Sequence, residues 1–200
     1  MDVAEGRVRV AVLISGAGSN MAALIDSGRQ PDAPYEVVLV LSNDPEAGGL
    51  AIAEAKGVET VAVDHRPFGR DRAAHEAAIQ AELQDARVEV VALAGYMRLL
   101  TPWLVGRWTG RMINIHPSLL PRYPGLDTHA RALAAGDDRA GCSVHLVTEG
   151  VDEGAVLAQA EVPVLAADTP QTLAQRVLVA EHSLYPSALA DFCRSRIRSS

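Results

Sequence analysis

Apolar residues along this chain recur in two rhythms: short runs dominated by Val, Ile and Leu, and longer stretches in which they return every third or fourth position. Arg7 to Ile14 (RVRVAVLI) is a run of the first kind and predicts a strand. A Gly-rich turn, Ser15 to Asn20, leads into a helical pattern from Met21 to Ser27. Tyr35 to Leu41 predicts the next strand, Ser42 to Pro45 a turn, and Ala47 to Lys56 a small helix that Gly57 closes as its C-cap. Thr60 to Val63 is a third, short strand. From Asp71 to Leu83 the apolar side chains fall at Ala74, Ala78, Ile79 and Leu83, a helical spacing with the charges on the other side. Val88 to Ala94 (VEVVALA) returns to a buried strand. Strands that alternate with helices in this way build right-handed βαβ units and a parallel sheet.

The texture changes at Met112. A short apolar piece, Met112 to Ile115, runs into His116, and the Pro-rich stretch from Pro117 to Gly125 cannot form a regular element. An irregular loop of that length inside a compact domain is usually functional. Thr128 to Ala135 is helical and ends at Gly136. Cys142 to Thr148 (CSVHLVT) and Val156 to Val164 predict two further strands, joined by the turn Glu149 to Gly154 in a hairpin-like return. Thr169 and Pro170 open a long amphipathic helix, Thr169 to Ser183, as its N-cap and first residue. No repeat, biased tract or linker interrupts the pattern. The expectation is one α/β domain over 1–200, frayed at about 1–6 and 195–200. Helices cover both faces of an open, mostly parallel twisted sheet with an antiparallel C-terminal strand pairing.

Composition narrows the partners. Hydrophobic residues make up 48% of the chain and aromatics only 4%, so Val, Leu, Ile and Ala fill the core and aromatic stacking platforms are scarce. The net charge is -7, and the 18 Lys and Arg are dispersed apart from the Arg-Ser-Arg-Ile-Arg tail at 194–198. No nucleic-acid partner is expected, because that footprint needs clustered cations to replace phosphate counterions. Cys142 and Cys193 are far apart and form no CxxC, the chain starts acidic rather than basic, and the apolar run that follows is too short to span a bilayer. A cytoplasmic protein with no membrane partner is the expectation.

Three groups of residues carry candidate chemistry. The turn Ser15-Gly16-Ala17-Gly18-Ser19-Asn20 lets the backbone pass close to a ligand and precedes a helix N-terminus, whose N–H groups and dipole favour an anion such as phosphate. A plain left-handed turn with Ser19 or Asn20 capping the helix accounts for the same residues equally well. Met21 stands where a dinucleotide fingerprint has its third glycine, and no Lys is placed for a triphosphate loop. Asn114 and His116 lie two apart on one side of an extended segment, at a strand end where open α/β sheets bind ligands. An amide and an imidazole aimed at one spot suit a tetrahedral intermediate, since the amide donates to a developing oxyanion and the imidazole donates or shuttles a proton. As an isolated pair they serve as well to satisfy loop backbone groups. Asp152, in the turn Thr148 to Gly154, would orient His116 if it lay close, although its spacing alone suggests a solvated turn residue. His65, His75, His129, His145 and His182 show no paired-ligand spacing, so no metal is expected.

Taken in order, Leu13-Ile14-Ser15-Gly16-Ala17-Gly18-Ser19-Asn20, Leu93-Ala94-Gly95-Tyr96-Met97-Arg98, Asn114-Ile115-His116-Pro117-Ser118-Leu119-Leu120-Pro121, Tyr123-Pro124-Gly125 and Val151-Asp152-Glu153-Gly154 resemble the phosphoribosylglycinamide formyltransferases over nearly the whole chain. The resemblance implies a Rossmann-like formyltransferase fold. It also implies transfer of a formyl group from 10-formyltetrahydrofolate to the glycyl amine of glycinamide ribonucleotide, a step of purine synthesis, by a monomer or homodimer acting on small molecules. By the same resemblance Gly18, Ser19 and Asn20 hold the ribonucleotide phosphate and Glu181 contacts that substrate. Arg72, Met97, Arg98, Leu99, Leu100, Asn114, Thr148, Glu149, Gly150, Val151 and Asp152 line the folate site, with Arg70 an alternative to Arg72. Asn114, His116 and Asp152 form the catalytic set. Asp127 occupies a position where the family often has His.

Two relatives by chemistry fit less well. A methionyl-tRNA formyltransferase shares the Asn114-His116 block but needs a cationic surface and an extra tRNA-binding domain, and it carries an Arg-Gly pair where this chain has Tyr123-Pro124-Gly125. A formyltetrahydrofolate hydrolase is expected to carry an N-terminal regulatory domain, whereas the first strand here begins at about Arg7. A non-catalytic folate- or nucleotide-binding module is a third reading, disfavoured by the presence of Asn114, His116 and Asp152 together.

Overall fold

The computed structural model describes residues 6–197. In chain order they form β1 (Val8–Ile14), α1 (Ser19–Gly28), β2 (Tyr35–Ser42), α2 (Gly48–Ala55), β3 (Glu59–Ala62), a 3-10 turn (Arg66–Phe68), α3 (Arg72–Asp85), β4 (Val90–Leu93), α4 (Pro102–Arg107), β5 (Met112–His116), α5 (Thr128–Ala134), β6 (Arg139–Leu146), β7 (Val156–Pro163) and α6 (Pro170–Ile197). One sheet takes the strands in the order β3-β2-β1-β4-β5-β6-β7. The first five run parallel, and β6 and β7 reverse direction beyond β5.

Side chains of a strand alternate between faces, so the β-branched run of β1 serves two cores at once. Val8, Val10, Val12 and Ile14 pack with Met21 and Leu24 of α1 and with Leu173, Val177 and Tyr185 of α6. Ala11 and Leu13 pack on the other face with Ile79 and Leu83 of α3 and Leu104 of α4. Each fully buried Leu or Ile contributes about 1.5–3 kcal/mol, and both faces must be covered for a mostly parallel sheet to realise it.

Three elements depart from the expected pattern. α4 was not anticipated because its six residues are too few to display a helical period. β6 begins at Arg139 rather than Cys142, adding Ala140 and the small Gly141, and it ends at Leu146. α6 continues through Pro186 to Ile197, past the expected end at Ser183. A proline inside a helix costs about 3 kcal/mol, and the burial of Ala188, Leu189 and Cys193 beyond it offsets that cost. Ser195 to Ile197 therefore lie within the helix, while 1–5 and 198–200 of the expected frayed ends fall outside the described residues.

β1 and β5 flank β4. At the ordinary strand spacing, the turn after β1 lies about 10 Å across the sheet from the end of β5.

Candidate active site

β5 is the last parallel strand, and its pattern decides what faces where. Met112 packs in the second core, so Asn114 and His116, two and four residues on, continue that face. Antiparallel pairing with β6 sets Asn114 opposite His145 and His116 opposite Ser143. Asn114 Nδ2 lies 3.2 Å from His145 Nε2. His145 Nδ1 lies 2.8 Å from the Leu146 carbonyl, which can only accept, so that nitrogen carries a proton. Nε2 of the neutral ring then accepts from the Asn114 amide, whereas a second proton would turn it towards Asp152.

Asp152 lies beyond β6 at φ 56, a left-handed conformation that curls its side chain back over the site. Its Oδ2 is 3.3 Å from His116 Nδ1 and its Oδ1 3.4 Å from His145 Nε2, and the side chain is 11% exposed. The Gly125 N–H donates to Oδ2 at 2.8 Å. The structure thus corrects the view of Asp152 as a solvated turn residue. Burial by itself raises this carboxyl, but the His145 bond, the Gly125 N–H and the charge of His116 outweigh it and hold the group below the ordinary carboxylate range. His116 is 5% exposed and its Nε2 donates to the Tyr123 carbonyl at 2.9 Å. Nδ1, on the other edge of the ring, faces the Asp152 carboxylate. In this arrangement neither nitrogen is available to a ligand, so contact with a reacting atom requires Nε2 to leave Tyr123.

The loop that supplies Tyr123 and Gly125 is fastened from β6 and β7. Ser143, fully buried, donates its hydroxyl to the Ser118 carbonyl at 2.6 Å and accepts from the Leu120 N–H at 3.0 Å and from Gln159 Nε2 at 2.8 Å. Gln159 also donates to the Leu120 carbonyl at 2.9 Å, and the Leu120–Pro121 bond is cis. Sequence reasoning missed His145 and Ser143. A signal existed: in an otherwise apolar strand they are alternate polar residues, and both are buried on the face that carries the site. Asp127 stands at φ 57 as the N-cap residue of α5, exposed, and its side chain makes no cap bond.

At the other end of the site, Gly18 is the N-cap residue of α1 at φ 72, and no side chain caps the helix. The alternative in which Ser19 or Asn20 does so is therefore not what the chain adopts. A Cβ at Gly18 would lie 2.9 Å from Gly49 Cα, so glycine is required by the close approach as well as by φ. Asn20 instead turns inward and donates to Glu181 Oε2 of α6 at 2.6 Å, leaving its own buried Oδ1 without a partner among the described residues. Burial raises the Glu181 carboxyl, with the Asn20 bond acting in the opposite sense.

Met97, Arg98, Leu99 and Leu100 follow β4 in an irregular segment, with Met97 and Leu99 69% and 66% exposed. The Arg72 guanidinium donates to the Leu99 carbonyl, and Ser15 Oγ accepts from the Met97 N–H at 2.8 Å. Leu100 and Val147 pack on the same second core, which brings the segment after β4 and the start of the Thr148–Asp152 segment to one region. Arg70 is exposed two residues before α3. A cleft of about 380 Å³ lined by Leu120, Pro121, Pro124, Asp152, Glu153, Gly154 and Val156 opens onto Asp152. Among the described residues no cluster of three or more His, Cys, Asp or Glu could hold a metal, and no helix is long and apolar enough to cross a membrane.

Residues 8–189 match the formyl transferase family. The chain is 41% identical over 191 residues to the phosphoribosylglycinamide formyltransferase of Escherichia coli, covering 96% of this chain and 90% of that one. It is 47% identical over 190 residues to the trifunctional purine biosynthetic protein adenosine-3 of Drosophila melanogaster, where the match covers 94% of this chain but spans only 14% of the relative's length. The crystal structure of phosphoribosylglycinamide formyltransferase from Brucella melitensis superposes with a TM-score of 0.90 at 55% identity, covering 94% of this chain and 96% of that one.

Proposed function

The chain belongs to the formyl transferase family, and from that premise we propose that it transfers the formyl group of 10-formyltetrahydrofolate to the amine of 5-phosphoribosylglycinamide, giving N-formylglycinamide ribonucleotide in de novo purine biosynthesis. The observation that carries the reading is the meeting of Asn114, His116 and Asp152, with an α1 N-terminus that no side chain caps about 10 Å away across the sheet. That separation suits a small ribonucleotide whose phosphate lies on the N–H groups at Gly18, Ser19 and Asn20 and whose amine reaches β5. Glu181, held by Asn20, faces the same substrate. The exposed apolar side chains of Met97 and Leu99, with Arg72, Arg98, Leu100 and the Thr148–Asp152 segment, receive the folate.

The reaction follows from the donors and acceptors present. As the substrate amine attacks the formyl carbon, the Asn114 amide donates to the oxygen on which negative charge develops. His116 swings Nε2 from the Tyr123 carbonyl towards the same oxygen, while the Asp152 carboxylate holds the Nδ1 edge of the ring in place. The amine proton passes through water beside Asp152 to N10, the C–N10 bond breaks, and the formyl group leaves on the acceptor. No covalent enzyme intermediate is required.

The test is donor consumption by the purified protein with and without glycinamide ribonucleotide. Turnover is expected only with the acceptor present, and His116→Ala is expected to lose most of the rate while still binding ribonucleotide. Donor consumption without acceptor would instead establish a hydrolase.

A further inference from the structure

We infer that Glu76 is a positioning residue, whose carboxylate holds the 95–101 segment in the shape that receives the formyl donor. The inference rests on the reading that Met97 to Leu100 line the donor site. Glu76 lies on α3 and is 2% exposed, a burial that carboxylates rarely accept without dedicated partners. Both of its oxygens serve one residue: Oε1 accepts from the Thr101 N–H at 2.7 Å, and Oε2 from the Thr101 hydroxyl. Thr101 ends the segment and is the N-cap residue of α4, yet its own side chain makes no cap bond, because the hydroxyl is committed to Glu76.

The same segment is tied at alternate residues by side chains from elsewhere. Ser15, beyond β1, holds the Met97 N–H, and Arg72, one turn before Glu76 on α3, holds the Leu99 carbonyl. The bonds at 97 and 99 engage backbone groups alone, so the large side chains of Met97 and Leu99 are left facing solvent. Apolar side chains kept exposed on a fastened backbone make a preformed binding surface, because the ordering is completed before the ligand arrives. Of the three ties, Arg72 is exposed and Ser15 is part-buried, its hydroxyl shared between the Met97 N–H and Asn43 and its own N–H given to the Gly95 carbonyl, whereas Glu76 makes two charge-assisted side-chain bonds out of water to the segment's last residue. Glu76 is therefore the tie on which the shape of the segment depends most.

The experiment is steady-state kinetics of the full chain with 10-formyltetrahydrofolate and glycinamide ribonucleotide varied in turn. Glu76→Ala is expected to raise KM for the folate by about tenfold or more, the loss of hydrogen bonds to a charged acceptor, with ribonucleotide KM changed less than about twofold. Glu76→Gln, which keeps an oxygen for the Thr101 N–H, is expected to recover most of the loss. If Glu76→Ala does not fold, Thr101→Val removes the hydroxyl bond alone and is expected to raise folate KM in the same direction by a smaller factor. Unchanged folate KM in folded variants, or equal rises for both substrates, would overturn the inference while leaving the functional reading intact. A wild-type protein without folate-dependent turnover would overturn the functional reading, and the inference with it.

Discussion

Ser143→Ala isolates the hydroxyl that fastens the 117–125 loop. The side chain is fully buried and makes three hydrogen bonds, two of them to backbone groups of the loop. Alanine strands the Leu120 N–H and the Ser118 carbonyl, while Gln159 keeps its bond to the Leu120 carbonyl. A buried polar group left unpaired costs about 1–3 kcal/mol, so two of them amount to about 2–6 kcal/mol, with little relief from so small a deletion. For a chain of 200 residues, each kcal/mol lowers Tm by about 2–4 °C, so the expected fall is about 4–24 °C. The loop also carries the Tyr123 carbonyl and the Gly125 N–H, the backbone partners of His116 and Asp152. Loss of their placement is expected to reduce kcat by about tenfold to a hundredfold. Thermal denaturation followed by circular dichroism gives the first quantity and steady-state turnover the second. Gln159→Ala serves as the milder comparison, because it leaves both of Ser143's backbone bonds in place. A Ser143→Ala protein within about 1 kcal/mol of wild type and fully active would show that the loop holds its shape unaided.

Two further outcomes follow from charge. The Asp152 carboxyl is held below its ordinary range, so the stability it contributes is present above about pH 4 and disappears as pH falls through its lowered value. Urea denaturation of wild type and Asp152→Asn should therefore differ by a constant amount near neutrality and converge only in the most acid samples; convergence between about pH 7 and 5 would contradict the assignment. Glu181 is raised by burial, so its effect has the opposite sign: stability is fullest below the ordinary carboxylate range and is lost as pH rises through the raised value. Glu181→Gln is expected to melt above wild type at alkaline pH and level with it in acid, while titration calorimetry shows weaker ribonucleotide binding. A variant that melts lower at alkaline pH would refute the account.

The strands were legible because burial on both faces demands runs dominated by apolar residues, and β1, β2 and β4 supply them, interrupted only by Arg9 and Glu36 near the strand starts. What escaped was set by contacts that single-sequence patterns do not encode. Gly141 looks like a loop residue, yet in β6 a Cβ there would lie 2.0 Å from the Ala160 carbonyl of β7, so its smallness serves strand approach. Pro186 looks like a terminator, and the helix runs through it because the apolar residues beyond it have a core to enter. α4 depends on Thr101 and Glu76, which lie 25 positions apart.

The site itself shows the same division more sharply. Asn114, His116 and Asp152 could be picked out as residue types, but what makes them a unit is the reversal of strand direction at β6. In the observed register Asn114 meets His145 and His116 meets Ser143, so each polar side chain of β5 finds a polar partner on the same face. A slip of one residue would bring Cys142 or Val144 to those places and turn Ser143 and His145 into the apolar core of the opposite face, where their hydroxyl and imidazole would be stranded. The register is therefore enforced by the core and the chemistry together. Asp152, 3.3 Å from His116 and 3.4 Å from His145 and accepting from the Gly125 N–H, can close the site only when that register is correct.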